Sequence, residues 1–377
     1  MRNNIVEDSA LKVAIIHYWL INMRGGEKVL ESLCEIYPHA DIYTHVYDPN
    51  NISSTIKKHQ IKTTFIQALP NSRRWYQNYL PLMPFALWLL NLKKYDLVIS
   101  LESGPSKGVR VNPLAVHICC CFTPMRYVWD LFDEYFQGAS LLKKIAMILL
   151  IKPLRIWDKA SAKGVTQFVA IAEIVKSRIR KTYDRDAVII YPPVDIDGFN
   201  ISPVVDDFYL LFGQLVSYKK PRLAIEAFNQ SGRRLVVIGQ GELLDDLKKI
   251  AKPNIQFLGR LSDAEIKRYL STCKALVFPG LEDFGIVPVE VMASGRPVIA
   301  FAEGGALDTV VSGKTGVFFK EQTVNALNEA IDWFESHQEQ FNSMDIKEWT
   351  KKFSKENFKK QFQAFASQLL QNSKMAK

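Results

Sequence analysis

The chain has 377 residues, 48% of them hydrophobic and 23% charged, with a formal net charge of +9. That length exceeds what one hydrophobic core usually organises, and the balance excludes a disordered or fibrous chain, so two folded domains are expected. The positive excess favours anionic partners such as phosphorylated substrates or an acidic membrane surface; the basic residues are dispersed and carry no RNA- or DNA-reading signature, so nucleic acid is not expected.

In chain order, Met1–Ala10 is polar and mixed in charge, and no secretory signal is expected there. Lys12–His17 is a short apolar run suited to a buried parallel strand. A loop with Gly25-Gly26 follows, then a helix on which Val29, Leu30, Leu33 and Ile36 recur at helical spacing. Further strands are expected at Asp41–Thr44, Leu97–Ser100, Ala115–Cys121 and Gln167–Ile171. The most apolar stretches are Leu80–Leu92, interrupted by Pro81 and Pro84, and Leu141–Leu154, punctuated by lysines. Neither reaches the roughly 20 apolar residues of a membrane span. A helix packed on a sheet is the simpler reading of both, while Arg73, Arg74, Lys93 and Lys94 beside the first also permit peripheral membrane contact. Cys119, Cys120 and Cys121 alternate faces on a strand and cannot alone make a zinc site, which suggests apolar packing in a reducing, cytoplasmic compartment. His117 reads as a satisfied packing histidine.

Tyr191-Pro-Pro-Val-Asp195 stiffens a connection and marks the domain junction. The expected domains are residues 1–191 and 192–350, with a helix over 351–377 that packs back across the first. In the second half, strands at Tyr209–Phe212, Arg234–Ile238, Ile255–Leu258, Ala275–Phe278 and Pro297–Phe301 alternate with helices, one starting at Pro221 and one at the capping box Ser262–Glu265. The alternation predicts an α/β chain of two Rossmann-like, doubly wound parallel sheets facing across a cleft, with ligands at the carboxyl ends of the strands.

The most informative segment is Pro279–Pro297. Pro288 suits a first helical turn and Gly295 a left-handed terminator, so the amides of Phe284, Gly285, Ile286 and Val287 fall at a helix N-terminus, which attracts phosphate. Glu282 precedes that helix and Glu290 lies on it; carboxylates accept hydrogen bonds from the vicinal hydroxyls of a ribose or hexose. Singly, each glutamate is explained as well by the dipole of an early helix turn.

This segment resembles the Glu-x7-Glu signature of family 4 glycosyltransferases, which have the GT-B fold. The resemblance extends through Gly25-Gly-Glu-Lys28, Lys107-Gly108, Thr123-Pro-Met-Arg-Tyr127, Tyr191-Pro-Pro-Val194, Lys219 and Gly304-Gly305. Its details are similar to mannosyltransferases of bacterial O-antigen and exopolysaccharide assembly. That likeness implies a retaining enzyme with no bound metal or cofactor, a GDP-mannose donor, a lipid-linked oligosaccharide acceptor, and a place at the cytoplasmic face of the inner membrane. It implies that Glu290 holds the ribose, that Glu282 and the amides of 284–287 hold the hexose and diphosphate, and that Lys219 neutralises the leaving diphosphate. Gly213, Gln214, Gly239 and Gly241 join the donor side; Gly25, Gly26, Phe122 and Arg126 join the diphosphate or acceptor side.

Three positions depart from the family pattern. Phe122 stands where the family has histidine, Gln214 where it has arginine, and Ile171-Ala172 where it has Asn-Ser. Each loses a charge or a hydrogen-bonding group, so the alternative is a catalytically impaired nucleotide-sugar-binding or scaffold homologue.

Overall fold

The computed structural model describes residues 11–129 and 141–375, excluding the side chains of residues 127 and 141–148. The readings made for Met1–Ala10, the Tyr127 side chain and the apolar start at Leu141 lie outside the described residues. Two compact units emerge: residues 11–192 with 358–375, and Pro193–Asn357.

The first unit is a seven-stranded parallel sheet: β1 (Val13–His17), β2 (Asp41–Thr44), β3 (Ile61–Thr63), β4 (Leu97–Glu102), β5 (Val116–Cys121), β6 (Gln167–Ala170) and β7 (Ala187–Ile189). Its order is β3-β2-β1-β4-β5-β6-β7. The central strands β1, β4 and β5 are buried at every position, as strands covered on both faces must be. Helix α1 (Gly25–Ile36) turns Val29, Leu30 and Leu33 into the core. The three consecutive cysteines are free and buried on β5. At the C-terminus, Phe358, Phe362 and Ala366 pack in the same core as α1.

A charged cluster is enclosed at the carboxyl end of β4. The Lys107 ammonium, fully buried, bonds Glu102 at 3.0 Å, Asp158, and the Tyr183 hydroxyl at 3.2 Å. Trp129 Nε1 and the Tyr183 hydroxyl donate to the second Asp158 oxygen at 2.7 and 2.9 Å. Ser106 and the Lys107 amide satisfy Glu102 Oε2. Burial pushes the Glu102 carboxyl up, against the pull of Lys107. Every charge is paired, which is the condition under which such a cluster is tolerated in a core.

The second unit is a six-stranded parallel sheet of β8 (Tyr209–Phe212), β9 (Leu235–Ile238), β10 (Ile255–Gly259), β11 (Leu276–Phe278), β12 (Val298–Phe301) and β13 (Gly316–Phe319), ordered β10-β9-β8-β11-β12-β13. Pro221 begins one helix and the Ser262–Glu265 capping box begins another. This unit continues to Asn357, beyond the boundary expected at residue 350. The reason is packing: Phe353 meets Phe284 edge-on at 5.5 Å, and its carbonyl accepts from Val194 N at 2.9 Å. In both sheets the chain starts at the middle strand, builds outward one way, and crosses back to build the other. Each therefore has a switch point, between β1 and β4 and between β8 and β11.

His117 is a satisfied packing histidine, with Nε2 on Ser100 Oγ at 2.9 Å and Nδ1 on the Gly164 carbonyl at 3.1 Å. Burial lowers its pKa to about 4, as it does for His45. An unfolded histidine titrates near 6.5, so below that pH the unfolded chain binds protons that the folded one refuses. Stability should therefore fall as pH drops from about 6.5 towards 4, His117 contributing about 3 kcal/mol to the loss. Denaturant midpoints across that range test this; in His117→Gln the acid limb should be shallower, and an unchanged slope would contradict it.

Candidate active site

The switch point of the second sheet is where the expected donor residues gather. β8 is followed by Gly213 and β11 by Pro279-Gly280, and between them a recess is lined by Gly213, Gln214, Lys219 and Glu282. Lys219 Nζ lies 2.8 Å from Glu282 Oε1, both side chains about one-fifth exposed. The two residues come from loops after different strands, so their meeting is a product of sheet order. Lys219 closes a short 3-10 turn (Ser217–Lys219). Lys220 then takes a left-handed φ of 51° before Pro221, a conformation costing a non-glycine residue roughly 1 kcal/mol.

Backbone contact makes this geometry possible. A Cβ on Gly280 would sit 2.6 Å from the Lys219 Cα, so the loop after β11 can lie against the lysine only with glycine there. A Cβ on Gly239 would overlap the Gly213 carbonyl oxygen, and Gly239 also has φ 145°. The loops after β8 and β9 are thus stacked main chain on main chain, tied by Gly213 N to the Ile238 carbonyl and Leu215 N to the Gln240 carbonyl, each at 3.0 Å. Gly241 belongs to this stack and not to the lining of the recess. The Glu282 carbonyl accepts from Gly305 N at 2.9 Å, anchoring the loop that carries the glutamate.

Helix α2 (Ile286–Ala293) follows, with Gly285 as N-cap at φ 87° and no side-chain capping bond; Gly295 terminates it at φ 77°. Its N-terminal amides are those expected from the sequence. Glu290 lies on α2, half-buried and one turn beyond Ile286, outside the recess that holds Glu282. Gln214 is exposed at the rim.

In the first unit, Gly26 opens α1 beside the end of β1. A Cβ there would lie 2.9 Å from the Tyr18 hydroxyl and 3.0 Å from the Phe122 ring. Gly25, Gly26 and Phe122 are therefore brought together, and Phe122 packs on the core that includes α1. Arg126 starts the turn Arg126–Trp129 and is half-buried. Sequence reading passed over two neighbours. Glu27 is buried and bonds Arg24 N at 2.9 Å. His17, whose ring nitrogens find no hydrogen bond among the described residues, lies 3.8 Å from it. Burial lowers the His17 pKa to about 3, so the imidazole is neutral and the contact is no ion pair. The signal for Glu27 was present in Gly25-Gly-Glu-Lys28; nothing in the apolar β1 pattern marked His17.

Gly239→Ala should lower stability by about 2 kcal/mol or more, because both overlap and φ oppose it. Gly232→Ala, at φ 71° with nothing within 4 Å, should cost about 1 kcal/mol. Denaturant midpoints for the pair check the order; equal losses would mean the loops are not stacked.

Residues 199–351 match the family model described as Glycosyl transferases group 1. An uncharacterized glycosyltransferase of Methanocaldococcus jannaschii is 28% identical over 211 residues, covering 53% of this chain and 59% of the relative. The alpha-1,3/1,6-mannosyltransferase of Saccharomyces cerevisiae is 25% identical over 343 residues, covering 73% and 65%. These alignments thus span under two thirds of either relative. The O-antigen chain mannosyltransferase of Salmonella typhimurium is 29% identical over 184 residues, covering 46% and 50%. Among solved structures, a sucrose-phosphate synthase from Thermosynechococcus elongatus superposes with a TM-score of 0.72 at 18% identity, covering 96% of this chain and all of that one. WaaG, a glycosyltransferase involved in lipopolysaccharide biosynthesis, gives 0.58 at 17%, covering 90% and 94%. The two parallel sheets are those of the GT-B fold, and the second unit carries the segment that matches the group 1 glycosyltransferases.

Proposed function

We propose that the chain is a retaining hexosyltransferase that moves mannose from GDP-mannose to a lipid-linked saccharide during surface polysaccharide synthesis, at the cytoplasmic face of a membrane. The observation that carries the reading is the Lys219–Glu282 pair at 2.8 Å, set at the sheet's switch point beside the start of α2. The acceptor hydroxyl oxygen bonds to the anomeric carbon on the face from which the diphosphate departs, and its proton passes to that diphosphate. Negative charge grows on the leaving group, so Lys219 and the α2 amides stabilise the transition state more than the bound donor. Glu282 takes hexose hydroxyls and Glu290 the ribose hydroxyls. The names of the yeast and Salmonella relatives support mannose and, for the latter, an O-antigen setting.

One observation favours a second reading. Phe122 fills the space against Gly26 with an apolar ring, where the family's histidine would offer a proton donor. A homologue that binds nucleotide sugar and turns over slowly would follow from that exchange.

GDP-mannose should raise the thermal midpoint in wild type more than UDP- or ADP-sugars do, and Glu290→Ala should lose that shift. Lys219→Ala should lower kcat by about 10²–10³ with a smaller change in KM. Absence of stabilisation by any nucleotide sugar would sink the reading. A large rise in turnover on Phe122→His with Gln214→Arg would select the impaired homologue.

A further inference from the structure

We infer that the short helices between β3 and β4 form a docking face for an anionic lipid bilayer. Such a face serves transfer to a lipid-borne acceptor and to that extent rests on the reading above, but its observations are separate. Four short elements follow β3: 3-10 turns at Phe65–Ala68 and Tyr76–Leu82, and helical turns at Ser72–Trp75 and Met83–Trp88. Their inward residues are accounted for: Ile66 and Ala86 share one cluster, Leu80 and Met83 another, and Leu87 a third. Their outward residues are also large and apolar. Phe85 is 54% exposed, Trp88 52% and Leu89 52%, with Leu82 one turn earlier and Phe65 and Trp75 exposed as well. They are not scattered. Phe65 and Phe85 rings lie 6.1 Å apart, Phe85 and Trp88 stack at 5.9 Å, and the Arg110 guanidinium sits 5.3 Å over Trp88. A contiguous apolar face on a folded unit marks something it binds.

Charge identifies the occupant. Between Asp48 and Asp96 the chain carries seven lysines and arginines and no aspartate or glutamate, against a net charge of +9 for the whole protein. Lys62 and Lys94 share Asp41. Arg73, Arg74 and Lys93 are exposed and have no carboxylate partner among the described residues. Aromatic side chains rimmed by unpaired cations match the boundary of an anionic bilayer, where rings enter the headgroup region and each cation contributes about 1 kcal/mol. A second copy fits worse. A two-fold interface would bring this cationic segment against itself, and like charges across an interface repel. No helix among the described residues is long and apolar enough to cross a membrane, so the contact is a surface one.

Sedimentation of the full-length protein with phosphatidylglycerol/phosphatidylcholine vesicles, compared with phosphatidylcholine alone, tests the inference without donor or acceptor. Wild type should bind the anionic vesicles, less so as salt rises. Phe85→Ser with Trp88→Ser should weaken binding about tenfold or more, and Arg73→Gln with Arg74→Gln should weaken it similarly and flatten its salt dependence. Thermal midpoints of both variants should match wild type, since the altered side chains are exposed. Equal binding by all three proteins, or no preference for anionic vesicles, overturns the inference. So does a dimer that the aromatic variant splits while vesicle binding persists, or capture of an acidic protein partner with no vesicle binding. Nucleotide-sugar stabilisation, measured on the same proteins without vesicles, should stay intact, so a failed membrane surface and a failed transferase reading give different results.

Discussion

The main-chain approach of loops at the carboxyl edge of the second sheet is the constraint on which the candidate site depends. Neighbouring strands of a sheet lie under 5 Å apart, so loops leaving β8, β9 and β11 at the same edge compete for one space. Gly239 resolves the crowding between the first two by lying directly on the Gly213 carbonyl, and Gly280 does so for the third by lying on the Lys219 backbone. Only after those contacts close can Lys219 and Glu282, on different loops, reach each other. Residues of this kind contribute to a site through the backbone approach they permit. Their substitution is felt as displaced side chains as well as lost stability.

The first unit solves a different problem with different chemistry. Its switch-point region holds a fully enclosed ammonium, two carboxylates, a phenol and an indole, which join the ends of β4 to three later segments of chain. Removing Lys107 would leave two carboxylates without their counter-ion, so the cluster is all-or-none. Around it, polar groups expected from the family are replaced by packing. Phe122 joins the core that includes α1, and Ala172 begins the helix Glu173–Tyr183 without the side-chain cap that serine would supply. The exchanges favour burial over hydrogen bonding at both positions. They bear on how fast this unit can assist a reaction more than on whether it folds.

Much of this was legible in the sequence, because buried parallel strands are continuous apolar runs and the two central sets were read within a residue or two of their observed ends. The strands missed were Ile61–Thr63, Ala187–Ile189 and Gly316–Phe319, all at sheet edges; the first two are three residues long and only partly buried, whereas the third is largely buried and opens on a glycine. The bounds of α2 were read from Pro288 and Gly295 because first-turn and terminator signals are local. The Lys219–Glu282 pairing was not, since it depends on which strands become neighbours. Nor did the sequence separate Glu290 from the recess. In Leu80–Leu92, apolar content alone left two readings open. The structure divides that stretch, burying Met83, Ala86 and Leu87 while exposing Phe85, Trp88 and Leu89.

The Lys219–Glu282 pair also bears on how binding becomes rate. The Lys219 ammonium has a carboxylate at 2.8 Å, both about one-fifth exposed and so neither fully solvated nor fully desolvated. In the proposed reaction an incoming diphosphate would share or take over that ammonium, which would weaken ground-state attraction for the donor. As the glycosidic bond broke, added charge on the diphosphate would shift the competition towards the phosphate oxygens. Glu282 would then be free to accept hydroxyl hydrogen bonds from the hexose, whose ring carbon would be becoming electron-poor. An interaction of this kind is stronger at the transition state than in the bound donor, the condition for it to accelerate the reaction instead of merely tightening the complex. A lysine with no resting partner would bind the donor more tightly and gain less on the way to the transition state.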